Sequence, residues 1–363
     1  MMNKPLEGST DIVRLPEIDD QAKKQLALFT DPNVDGNTLM GYDIRPRFLH
    51  TRSSKVFLLS EYADRGDRLF QMEDGTVYAI SPAVIDRKKS KVAIFPGTRE
   101  SLVEETIMGF ASRGEFDHES GKPGYTYDSS GLRVFFTLYQ LWKRMQDRAK
   151  TYSHAELNES LRVLKGAGHY TGTMQDFGDG KMRKADGYGS YISDLIFVDN
   201  NSPVDSIKSD KFICVYLNRE ATKLILEGKY KLYDEVLSME LRSPIARYLY
   251  KYLIQKLRYH PQNKTDSVNK LLKQNQCILE SGYQIQDNAT KRKVAFLSAL
   301  NELVENNIIC AIDESLVHVV KHHRTIVEVE YTVVPTPYFF TYLEQVYERS
   351  LLLHDPESQS KLL

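Results

Sequence analysis

Residues 153–168 read Ser153-His154-Ala155-Glu156-Leu157-Asn158-Glu159-Ser160-Leu161-Arg162-Val163-Leu164-Lys165-Gly166-Ala167-Gly168. Ser153 and Glu156 have the Ser-x-x-Glu spacing of a capping box, in which each side chain bonds the other's backbone N–H. Leu157, Leu161 and Leu164 recur at i, i+4 and i+7 and build one apolar stripe. Gly166 and Gly168 stop the helix where the chain must leave helical φ/ψ. The run His169-Tyr170-Thr171-Gly172-Thr173-Met174 then reads as a strand, Asp176 to Gly189 as a Gly- and charge-rich loop, and Ser190 to Val198 as a returning strand. A capped amphipathic helix followed at once by a hairpin is the unit from which the fold is read.

Two helices are expected upstream: Glu100 to Phe110, with Leu102, Ile107 and Phe110 inward and a charged opposite side, and Leu132 to Met145, with Phe135, Phe136, Leu138, Tyr139 and Trp142 apolar. Gly114 to Ser129 reads as a loop between them. The order recurs downstream. A strand at Phe212–Leu217 precedes short helices at Arg219–Leu226 and Asp234–Leu241. A helix starts on Pro244 with Ile245, Leu249, Tyr252 and Leu253 inward, another covers Ser267–Gln276, and a third runs Asn288–Glu305 over Phe296, Leu300 and Leu303. Strands at Ile308–Ile312 and Ile326–Val334, joined through Lys321, His322, His323 and Arg324, close the second unit. Three helices and a two-stranded hairpin make the winged-helix plan, a helix-turn-helix variant whose third helix enters the major groove.

The expected class is therefore α+β, with two tandem winged-helix domains at 96–210 and 211–340. A β-rich extension precedes them at 42–95, with strands at Lys55–Leu59, Arg68–Met72, Thr76–Ile80 and Lys91–Phe95 and a hairpin at Asp74-Gly75. Residues 1–41 read as a flexible tail and 341–363 as a C-terminal helix or tail. No apolar run approaches the ~18 residues of a membrane span, and the N-terminus lacks a signal-peptide core; the expectation is a cytoplasmic protein with no membrane partner. Cys214, Cys277 and Cys310 lie far apart without zinc spacing, which predicts buried structural thiols.

The net charge of −1 hides a local imbalance. Between Arg242 and Lys273 stand eight basic residues and one acid, Asp266. Beyond its leucine stripe the helix after Ser153 presents His154, Asn158, Arg162 and Lys165 on one face. Asn and Arg can pair bidentately with adenine and guanine edges, and Lys suits phosphate; a plain solvated face has the same pattern. Arg247, Lys251, Gln255 and Arg258 share a face of the helix from Pro244, either a backbone-contacting stripe or solubilising charge. The helix after Asn288 opens Thr290-Lys291-Arg292-Lys293. Cations there oppose the helix macrodipole, and a phosphate would offset that cost. Thr290, Lys291, Arg292, Ala295 and Ser298 form its groove-facing set.

Enzyme signatures are missing. His322-His323 has no apolar residue between its members, as the metal site of nicking initiators requires. No Gly-x4-Gly-Lys-Ser/Thr loop occurs. Asp176-Phe177-Gly178 lacks the other kinase segments, and Gly187-Tyr188-Gly189 lacks the third glycine and the helix of a dinucleotide site. No catalysis, cofactor or metal is expected.

Four segments carry a family resemblance: Phe95–Glu104, Tyr152–Leu164, Lys229–Leu253 with its Leu241-Arg242-Ser243-Pro244-Ile245-Ala246-Arg247-Tyr248 run, and Thr290–Ile309. Across Val92–Val334 the chain resembles the replication initiators of theta-replicating plasmids, in particular the TrfA-like group. The resemblance implies binding to origin direct repeats (iterons) in double-stranded DNA, opening of an AT-rich segment, plasmid copy control, and recruitment of host helicase and a DnaA-type initiator, with a homodimer as a repressing form. Gln25-Leu26-Ala27-Leu28-Phe29 resembles the bacterial β sliding-clamp binding pentapeptide, with Leu28 and Phe29 as apolar anchors and Gln25 at the pocket rim. A tandem winged-helix transcriptional regulator without initiator activity is the alternative.

Overall fold

The computed structural model describes residues 35–50, 56–72, 75–87, 90–112, 114–128, 131–176, 182–198, 212–227, 229–257, 269–284, 288–323 and 325–354. The pentapeptide at 25–29 and Arg258 lie outside them. The described chain mixes helices with antiparallel sheets.

The first strand, β1 (Asp35–Leu39), pairs with β13 (Tyr230–Asp234), with Asp35 opposite Asp234 and Leu39 opposite Tyr230. The region read as tail up to residue 41 thus holds a strand from residue 35. A distant helix pins it: Gln255 Nε2 donates to Thr38 Oγ1 at 2.6 Å and to the Leu39 carbonyl at 3.0 Å. No local pattern announces such a partner.

Next come β2 (Val56–Leu58), α1 (Leu59–Arg65), β3 (Arg68–Gln71), β4 (Val77–Ser81), β5 (Ala83–Arg87) and β6 (Ser90–Ile94). The expected hairpin joins β3 to β4 and turns at Gly75, whose φ of 81° suits a residue without Cβ. These strands are no free-standing extension. β2, β6 and β5 form one sheet whose Ala83, Val92 and Ile94 enter the first large core. The β3–β4 hairpin extends a second sheet, ordered β10–β9–β4–β3, in which β9 is Gly168–Asp176 and β10 is Met182–Ser190.

Strand β10 occupies most of the segment expected to be a loop. Its glycines, read as loop signals, serve close approach instead: a Cβ on Gly189 would stand 2.7 Å from the buried His169 ring. Of the stretch Ser190–Val198 only Ser190 lies along β9, opposite Gly168. Its β11 (Ile192–Val198) crosses to another sheet and pairs with β12 (Phe212–Leu217).

That sheet runs β11–β12–β8–β7, with β7 (Gly124–Asp128) and β8 (Gly131–Thr137). Two expectations fail here. The loop 114–129 contains β7, and Gly124 is required because a Cβ there would press to 2.6 Å on the Gly114 and Glu115 carbonyls. The helix expected over Leu132–Met145 is half strand: Leu132, Val134 and Phe136 are buried at period two along β8. Thr137 then caps α3 (Leu138–Asp147), accepting from Gln140 N at 3.1 Å. Pairing of β8 with β12, some eighty residues away, overrides the local helical pattern. Since β12 lies beyond residue 210, the first core draws on both of the expected domains.

Against this sheet pack α2 (Thr98–Ala111), α3, α4 (His154–Gly166) and α5 (Arg219–Leu226). Leu102, Ile107 and Phe110 meet Leu157, Leu161 and Leu164 in the core, each worth roughly 1.5–3 kcal/mol of burial. The polar side of α2 is not wet: Glu100, Glu104 and Glu105 are all buried.

The second core takes in Tyr233 of β13 and Leu237 of α6 (Glu235–Glu240). It is built by α7 (Pro244–Lys256), β14 (Lys270–Lys273), α8 (Gln274–Glu280), α9 (Ala289–Glu305), β15 (Val317–His322), β16 (Thr325–Val333) and α10 (Pro337–His354). The expected helix 267–276 resolves into β14 and α8, because Leu272 faces the core as an added strand of the β14–β16–β15 sheet. The strand expected at Ile308–Ile312 is one bridge, Ile309 to Pro335, and the hairpin partner of β16 is β15. Cys214 and Cys277 are buried as expected; Cys310 is exposed.

Candidate nucleic-acid interface

Helix α9 starts where Asn288 Oδ1 accepts from Lys291 N at 3.1 Å. Its buried residues are Phe296, Ala299, Leu300 and Leu303, all past the first turn. The N-terminal half therefore projects from the core with Thr290, Lys291, Lys293, Val294 and Ser298 exposed and no acid in the first turn. At about 100° per residue, Lys291 and Ser298 lie opposite Phe296. Arg292 falls on the core side; it is half-covered, and its Nε is buried without a hydrogen-bond partner. The groove-facing set expected from sequence is split accordingly.

The β15–β16 hairpin follows α9. Its turn holds His322 and His323, ring centroids 4.5 Å apart, with His323 at a φ of 55°. Lys321, His322 and His323 are all exposed. They tip a sheet anchored by Leu272 and Tyr331 in the core.

The corresponding face of α4 is more mixed. The capping box forms as read, with Ser153 N–H donating to Glu156 Oε2 at 2.8 Å and Ser153 Oγ accepting from Glu156 N at 3.3 Å. His154 and Arg162 are exposed, and His154 stands edge-on to Trp142 at 5.5 Å. Asn158 is half-buried and its Oδ1 has no partner. Lys165 is engaged with Asp194 at 3.1 Å and with the Ser193 carbonyl. Glu159, on the same helix, takes Arg87 and Arg99.

Helix α7 does not present the basic stripe expected of it. Arg247 is buried, Lys251 is nearly so, and Gln255 holds β1. Buried residues occupy nearly the whole circumference of α7, and Lys256 alone on it is exposed. Arg247 and Lys251 instead line a cavity of about 70 Å³ between α2, α7, α8 and residues 43–50. Lys251 Nζ sits 3.2 Å from Glu105 Oε2 and 5.0 Å from the Tyr233 ring centre. Burial works against the Glu105 carboxylate, but Lys251, with hydrogen bonds from Tyr233 (2.6 Å) and Ser238 (2.7 Å), holds it below the ordinary carboxylate value. Beside it Arg47 binds Glu104, whose pKa burial pushes up to about 7 against the pull of that guanidinium. Arg144 pairs with fully buried Glu235 at 2.7 Å. This junction is an ionic seam between the two cores, with Arg247 and Lys251 largely withdrawn from solvent. Glu104 and Glu105 lie away from the Leu102, Ile107 and Phe110 stripe of α2, so in sequence they read as a solvent face.

Among the described residues, no group of three or more His, Cys, Asp or Glu side chains is placed to hold a metal ion. No described helix is long and apolar enough to cross a membrane.

No family model matches the chain, and no curated protein sequence matches it. Solved structures do. Domains 2 and 3 of RctB superpose with a TM-score of 0.41 at 10% identity, covering 80% of this chain and 95% of that one. A second structure of RctB domains 2–3 gives 0.40 at 8% identity, over 82% and 97%. The Pi initiator protein in complex with iteron DNA gives 0.35 at 11% identity, over 65% and 91%.

Proposed function

We propose that this protein is a sequence-specific, duplex-DNA-binding replication initiator. In this reading it recognises direct repeats at a plasmid origin, promotes opening of that origin and gathers host replication proteins there. Each half is a winged-helix unit, with α4 and α9 as the groove-entering helices and the β9–β10 and β15–β16 hairpins as wings. The protein acts by binding, with no covalent step of its own. The pentapeptide Gln25–Phe29 is its handle for a β sliding clamp.

The observation that carries the reading is the exposed start of α9. It gathers cations where the helix macrodipole favours anions, and the hairpin that follows it in the chain is tipped with Lys321, His322 and His323. A phosphate backbone relieves that conflict, and the short Thr290 and Ser298 side chains let the helix approach base edges. The family resemblance of Val92–Val334 points the same way.

The test is selection of bound duplexes from a randomised pool by the full chain, followed by footprinting. The expected product is an asymmetric site of about two helical turns that recurs as direct repeats, one chain per repeat. A strictly palindromic site, with half-sites about 34–36 Å apart, would favour a dimeric regulator. Recovery of no sequence would end the reading.

A further inference from the structure

Val294 is the large apolar side chain on α9 that solvent reaches most, at 62% exposure. At about 100° per residue it lies about 160° from Phe296, close to diametrically opposite the buried stripe. Thr290, Lys291 and Ser298, at i−4, i−3 and i+4, surround it on that face, and all three are exposed. Neither packing nor propensity accounts for it: it touches no core, and a β-branched residue is a poorer helix former than alanine. Resting on the assignment of α9 as a groove-entering helix, we propose that Val294 is a specificity-determining residue that reads the C5-methyl group of a thymine in the major groove. The methyl is the one apolar feature a base pair shows there and marks T·A against the other pairs. The flanking lysine and hydroxyls hold the backbone and neighbouring edges while Val294 closes on the methyl and excludes water from both.

The test removes that methyl alone. A duplex selected by the full chain is resynthesised with each thymine in turn replaced by deoxyuridine, and wild type and Val294→Ala are titrated on the series. Burying one methyl-sized group contributes about 0.8 kcal/mol, so one thymine→deoxyuridine change should weaken wild type about fourfold. Val294→Ala should lose a similar factor on the unmodified duplex and be indifferent to that substitution. Alanine favours the helix, so thermal melting should show the variant folded. If no thymine matters to wild type, or Val294→Ala keeps the same sensitivity, the inference is overturned; α9 as the groove-entering helix still stands where Lys291→Ala weakens binding. If Lys291→Ala also binds as wild type does, both fall together.

Discussion

Helices α7 and α9 carry nearly the same message in sequence. Each sets basic residues on an apparently polar side: Arg247 and Lys251, four apart and followed by Gln255, on one, Lys291 and Lys293, followed by Ser298, on the other. In the folded chain they do opposite things. The α7 cations are drawn into the seam between the cores, where carboxylates of α2 meet them. Lys291 and Lys293 of α9 are exposed on the surface. What separates them is the rest of each helix: α7 buries residues all around its circumference, while α9 buries them only past its first turns. Charge spacing says that a face exists, and apolar spacing around the whole circumference says whether it is wet.

The sharpest way to break this comparison is Lys251→Met. It keeps the stem and removes the ammonium facing buried Glu105, so unfolding free energy should fall by about 3–5 kcal/mol in denaturant titrations. The salt dependence of DNA binding should not change. A stable variant with a flattened salt slope would move α7 back to the DNA surface. The converse is Lys291→Ala combined with Lys293→Ala. It should leave stability within about 0.5 kcal/mol and reduce the slope of log K against log salt by about two units.

His169 tests what burial alone does to a base. Burial, with Arg47 and Arg45 nearby, lowers its pKa from 6.5 to about 3. It therefore stays neutral in the folded chain while the unfolded chain takes a proton below about 6.5. Stability should be full above that value and fall as the pH drops toward about 3, by up to about 1.4 kcal/mol per pH unit. His169→Gln should flatten the curve between pH 6.5 and 4; an unchanged slope would place the loss elsewhere. The smallest effect belongs to Lys165→Ala. Its exposed pair with Asp194 is screened by solvent, so stability should hardly change, and its effect on the salt slope should be below that of Lys291→Ala.

Much of this was legible residue by residue. The Ser153–Glu156 box, the Pro244 start, the Asn288 cap and the inward sets of α4 and α9 depend on neighbours within four positions, where sequence carries the information. Strands β1, β7, β8 and β10 were not legible, because what makes each a strand is its partner. The partner of β8 is β12, and the partner of β1 is β13. Gly187 and Gly189 mark a loop in every local rule and lie in β10 all the same, where Gly189 clears the His169 ring. The inward turn of Arg247 and Lys251 was hidden for the same reason: the acids that receive them sit on α2, about 140 residues earlier.

The pairing of β1 with β13 also bears on the order in which the protein is made. A ribosome delivers Asp35–Leu39 about two hundred residues before Tyr230–Asp234, and the first core also waits for Ile213, Val215 and Met239. The amino-terminal half therefore cannot finish as a nascent unit on its own, as domains made in sequence ordinarily do. Its earliest strand stays without a register until the connection to the second core has emerged. Closure of the first core and the start of the second thus become nearly simultaneous events in synthesis, and a chain halted near residue 210 would leave β1, β8 and their apolar faces open to other nascent chains.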